Sequence, residues 1–131
     1  IVEEYSGSEN GETAKIYLAN SYAFLGNYDE AFKYYEDYSG TIDYFEAASL
    51  AGQAGYYAVK EDYEKAANLF LQASKMSQVN SQNPDYLLIA GIYYLKAGDK
   101  EEAKILFSRI KEDYTTSLAY REVDKYLSMI Y

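Results

Sequence analysis

Three alanines, Ala31, Ala66 and Ala103, stand 35 and 37 residues apart, each at the same place in one recurring pattern. A tyrosine lies nine residues upstream of each: Tyr22, Tyr57 and Tyr94. A small residue lies twelve upstream (Ala19, Ala54, Gly91), and an aromatic lies four downstream (Tyr35, Phe70, Phe107). A period of this length constrains the fold strongly. A unit that short cannot bury an apolar face alone, so successive units must stack on one another. Small residues facing aromatics let paired helices approach closely, with the ring filling the gap.

Helix punctuation falls where this period requires it. Asn27 with Glu30 and Asp99 with Glu102 read as capping boxes. Gly26 and Gly98 suit tight turns between paired helices, and Asn83–Pro84 reads as an N-cap followed by a first-turn proline. Helices are expected over 11–25, 28–38, 42–59, 62–77, 84–97 and 100–113. A last one is expected over 118–130. Its apolar set is Ala119, Val123, Tyr126, Leu127 and Ile130, and its polar face is Arg121, Glu122, Asp124 and Lys125. That amphipathic helix suits a solubilising cap on the last unit.

The repeated residues resemble the tetratricopeptide repeat (TPR). Its signature has a bulky residue, a leucine, a small residue and a tyrosine in the first helix, then an alanine and an aromatic in the second. The third unit matches best, through Leu87, Ala90, Gly91, Tyr94, Ala103 and Phe107. The first carries Lys15 where a bulky residue is expected, and the second carries Gln53 where a leucine is expected. The proline that closes such units is replaced by Asp43, Gln78 and Thr115. The resemblance implies an all-α superhelical solenoid of three helix-turn-helix repeats with a C-terminal capping helix and a truncated N-terminal repeat. The whole chain, 1–131, is then one domain. Residues 1–10 end a preceding repeat, 11–40, 41–80 and 81–116 are repeats one to three, and 117–131 cap the array. The truncation rests on an echo: Ile1, Glu3, Glu4, Tyr5 and Ser8 align at constant offset with Ile110, Glu112, Asp113, Tyr114 and Ser117.

More loosely, the layout resembles bacterial membrane-anchored TPR proteins akin to the ancillary subunit of the Sec translocon. Ile110 to Tyr114, followed by Val123, Asp124, Lys125, Tyr126 and Leu127, carry that likeness. It implies a periplasmic, membrane-tethered accessory factor for exported proteins, with any anchor lying upstream of Ile1. A cytoplasmic location is the alternative.

Composition narrows the chemistry. The chain has no histidine and no cysteine. Ser-His-Asp triads, Cys-His dyads and thiolate or imidazole metal sites are therefore excluded. Twenty-one acidic against 12 basic residues give a net charge of −9, which repels phosphate backbones and anionic headgroups. The acidic pairs Glu3–Glu4, Glu36–Asp37, Glu61–Asp62, Glu101–Glu102 and Glu112–Asp113 fall at helix ends, as solvated faces do. No catalytic residue, metal site or cofactor is expected, and the chain reads as a non-enzyme.

The resemblance places the first helix of each pair on the concave face. That face is expected to present Ile16, Asn20 and Phe24, then Ala51, Gly55 and Val59, then Leu88, Ile92 and Leu95. A largely apolar groove of this kind suits a peptide or an amphipathic helix of a protein partner. Two alternatives stay open. The groove is covered by the capping helix or an upstream segment, or it pairs with a second copy in a homo-oligomer. Gly52 and Gly55 likewise admit two readings, close approach of a ligand backbone or tight packing against a neighbouring helix. A basic clamp for an acidic peptide tail is not expected, because only Asn20 among Ile16, Asn20, Gly52, Asp85 and Ile89 fits one.

Overall fold

The structure, a computed structural model, describes residues 8–130. Among these residues all regular structure is helical, in the order α1 (Glu9–Phe24), α2 (Tyr28–Asp37), α3 (Asp43–Val59), α4 (Tyr63–Ser74), α5 (Asn83–Lys96), α6 (Lys100–Asp113) and α7 (Leu118–Leu127). Each helix packs on the next, and α1 also touches α3, the first helix of the following pair. That is the stacking of helix-turn-helix units. Residues 1–5, where the end of a preceding repeat is expected, lie outside the described residues. Ser8, the described member of that echo, caps α1 by accepting from the Gly11 amide at 3.1 Å. Its counterpart Ser117 caps α7 in the same conformation, accepting from the Tyr120 amide at 3.1 Å.

The three turns inside the pairs are built alike. The amides of Asn27, Asp62 and Asp99 donate to the carbonyls of Tyr22, Tyr57 and Tyr94, at 2.9, 2.9 and 2.8 Å. The same three residues then cap the following helix, their side chains accepting from the amides of Glu30, Lys65 and Glu102. One residue thus closes one helix and opens the next. The residue before it is left-handed: Gly26 at φ 81°, Glu61 at 64° and Gly98 at 88°. Glycine adopts that conformation freely and glutamate does not.

The small–aromatic register is realised. Ala19, Ala54 and Gly91 are buried, as are their partners Tyr35, Phe70 and Phe107. A Cβ at Gly91 would run into the Phe107 ring, so α5 and α6 meet as closely as only glycine allows. Phe107 also stacks on Tyr126 at 5.8 Å, which binds α7 to the third pair. Ala119 and Val123 of α7 are buried, while Arg121, Glu122, Asp124 and Lys125 face solvent.

Both departures from the repeat pattern are explained by polar partners. Lys15 is buried and bridges Glu12 and Asp37, at 2.8 Å each. Burial pushes its ammonium pKa down, but the bonds to Asp37 and Glu12 outweigh this and the net shift is upward. Glu12 also accepts from the Ser39 amide and hydroxyl at 2.7 and 2.9 Å. Glu9 accepts from the Thr41 amide and hydroxyl at 3.2 and 3.0 Å. The connection between α2 and α3 is therefore fastened to α1. Gln53 donates to Ser49 Oγ at 3.1 Å, and Ser49 donates to the Tyr35 carbonyl, linking α3 to α2.

Two local expectations are corrected. Asn83 is not an N-cap: Gln82 holds that position without a side-chain cap, and Pro84 lies one residue deeper in α5. Asn83 is buried, and its Nδ2 donates to the Ser77 carbonyl at 2.5 Å. α4 ends at Ser74 rather than 77, with Lys75 as its C-cap.

Candidate functional site

The nine residues expected on the concave face separate into three groups. Ile16 is only 1% exposed and forms a core cluster with Ala19, Ala31 and Tyr35, against which Phe45 and Ala48 of α3 pack. Buried to that degree, it is not a groove-lining residue. Ala51, Leu88, Ile92 and Leu95 are half-buried and pack on the larger core. Asn20, Phe24, Gly55 and Val59 form the accessible remainder, with Gly55 half-buried and the other three exposed.

One group of accessible apolar side chains lies on α1 and its C-cap. Phe24 is 91% exposed, Leu25 76% and Tyr17 61%, and together with Asn20 and Ser21 they line one shallow depression. Tyr17 went unanticipated. Its position three residues before Asn20 and seven before Phe24, on one helical stripe, was the available signal. Asn20 is held in place, because its Oδ1 accepts from the buried Tyr35 hydroxyl. Burial raises the Tyr35 pKa and keeps that hydroxyl protonated as a donor.

A second, deeper cleft of about 280 Å³ lies beside this stripe. Ala23 of α1, Tyr28, Ala31 and Tyr35 of α2, and Gly52, Gly55, Tyr56 and Val59 of α3 line it. The two glycines differ in what they do there. A Cβ at Gly52 would strike the Tyr35 ring, whereas one at Gly55 would meet no atom within 4 Å. Tight packing is therefore the role of Gly52, and Gly55 fronts open space. No charged residue lines the cleft.

Both carboxylates of the Glu36–Asp37, Glu61–Asp62 and Glu112–Asp113 pairs are exposed. Among the described residues no acidic cluster could hold a metal ion. No described helix is long and apolar enough to cross a membrane.

Residues 13–39 and 85–117 match the tetratricopeptide repeat family. These two segments of the chain are similar to tetratricopeptide repeats. The matched segments coincide with the α1–α2 and α5–α6 pairs, and the α3–α4 pair stacks between them with the same turn chemistry. No curated protein and no solved structure matches the chain. TPR arrays imply a scaffold for protein–protein interaction in general, and the family is typically non-catalytic.

Proposed function

We propose that this TPR array binds a peptide or helix of another protein along the accessible part of its first-helix face, from Tyr17 and Phe24 on α1 to Gly55 and Val59 on α3. One observation carries the reading: Phe24, a bulky aromatic at the end of a well-packed helix, is 91% exposed beside exposed Leu25 and Tyr17. Contiguous apolar surface of this kind marks contact sites. Aromatic side chains are also the residues that most often dominate binding energy at interfaces. The net charge of −9 disfavours nucleic acid and acidic peptides as the ligand.

A finer reading makes the array an accessory factor for exported proteins, held at a membrane by an anchor upstream of Ile1. It rests on the likeness of Ile110 to Tyr114 and Val123 to Leu127 to membrane-anchored TPR proteins. The exposed face equally suits a second copy of the chain.

Photo-crosslinking from position 24, with position 105 of α6 as a control, tests the binding reading. A partner captured from 24 and lost with Phe24→Glu, at unchanged helical content, supports it. Capture that survives Phe24→Glu and Val59→Glu together overturns it. If the captured species is the chain itself, and light scattering shows a dimer that Phe24→Glu dissociates, self-association replaces it.

A further inference from the structure

Gly55 lies inside α3, where glycine lowers helix stability relative to alanine. Gly52 and Gly91 answer that cost by admitting the Tyr35 and Phe107 rings. Among the described residues, a Cβ added at Gly55 would meet no neighbouring atom within 4 Å. In the third repeat the corresponding residue is Ile92, whose side chain packs on the core. The second repeat has thus vacated a position that the third fills, and the vacancy opens on the cleft between α1, α2 and α3.

Charge narrows what fits there. Charged groups next in sequence to the lining residues are paired, Asp29 with Lys60 at 3.9 Å and Glu30 with Lys33 at 3.1 Å. With no charged lining residue, no charged occupant would be compensated, and burying one uncompensated is unfavourable. Three tyrosines line the cleft, Tyr28 exposed, Tyr56 half-buried and Tyr35 buried. Aromatic rings stack offset or edge-on with such walls, and a volume near 280 Å³ admits one ring system.

We propose that this cleft is an anchor site for a single uncharged aromatic side chain of the bound segment, with Gly55 as the residue that keeps it empty. The proposal rests on the binding reading above and specifies the chemistry of its ligand.

Backbone-amide NMR tests it, with N-acetyl-L-phenylalanine amide as probe and N-acetyl-L-alanine amide as control. The aromatic probe is expected to shift the Gly52, Gly55 and Val59 amides in a saturable way, and the alanine probe is not. Gly55→Leu, which fills the cleft from within, is expected to weaken the aromatic probe by about tenfold or more and to raise the melting temperature. Should Gly55→Leu fail to fold, Val59→Trp closes the mouth from a half-exposed position and serves the same readout. Equal shifts from both probes, no shift at Gly55, or unchanged binding in a folded filled variant overturns the proposal. Partner capture separates the two levels. Loss with Phe24→Glu but not with Gly55→Leu retains the binding face and rejects the cleft, whereas survival in both rejects both.

Discussion

The Tyr35 ring occupies the space that a side chain on Gly52 would need. Tyr35 belongs to the first pair and Gly52 to the second, so the contact joins repeats rather than helices of one repeat. Phe107 repeats the arrangement inside the third pair, lying against Gly91 and stacking onward to Tyr126 of the closing helix. The recurring aromatic is thus a wedge against a bare stretch of helix. Gly52→Ala and Gly91→Ala are expected to destabilise the fold by about 1–3 kcal/mol through overpacking. Denaturant melts read by circular dichroism check this, and an unchanged midpoint for either variant removes that wedge from the account.

Glu61 stands in the left-handed conformation that Gly26 and Gly98 supply in the other two turns. Its side chain is exposed and no hydrogen bond or ion pair requires a glutamate there. Glu61→Gly is expected to stabilise the protein by about 1 kcal/mol. Relief of backbone strain exceeds the added freedom of the unfolded chain. A lowered melting temperature would contradict it.

Lys15 carries a buried positive charge between Glu12 and Asp37. Lys15→Met removes the charge beside a buried carboxylate, and a loss of about 3 kcal/mol is expected. Adding Glu12→Gln to Lys15→Met is expected to recover part of that loss, because the buried negative charge goes too. A double-mutant cycle with no coupling between the two positions would refute the pairing.

Alkaline pH acts on buried tyrosines. Burial raises the hydroxyl pKa of Tyr35, Tyr86 and Tyr94 above the ordinary value of 10.0. The folded state therefore holds protons that the unfolded state releases. This contribution is fully present below pH 10 and lost as pH rises through the raised values. Lys15, also raised, has the same sign. Denaturation midpoints are expected to fall from about pH 10 upward. Tyrosinate absorbance should show a late fraction that ionises with unfolding, and complete ionisation without loss of helix would exclude this.

The fold was legible in the sequence because its signals are local. A left-handed turn residue, a capping carboxylate or amide, and a small–aromatic register all act within one unit. Seven helix starts and five helix ends fall within a residue or two of where these signals put them. The early end of α4 did not show, nor did the bond from the Asn83 side chain to the Ser77 carbonyl, which spans the loop beyond any local signal. The candidate site was less legible for a related reason. Register tells which way Ile16 points but not that it closes into a core cluster against which Phe45 and Ala48 of the following pair pack. The Glu12–Lys15 pair was hidden in the same way. Lysine at a bulky apolar position looks like a lapse until Asp37 at the end of α2 and Ser39 just after it are folded back onto α1.

Because one residue both ends and begins a helix in each of the three hairpin turns, those turns have no slack. An inserted residue there would rotate every later side chain off its partner. The difference between the 35- and 37-residue spacings falls instead in the connections between hairpins, 38–42 and 75–82. The hairpin is thus the indivisible part of this protein. The joints between hairpins are where its curvature, and with it the width of whatever it embraces, can be changed by adding or removing a residue.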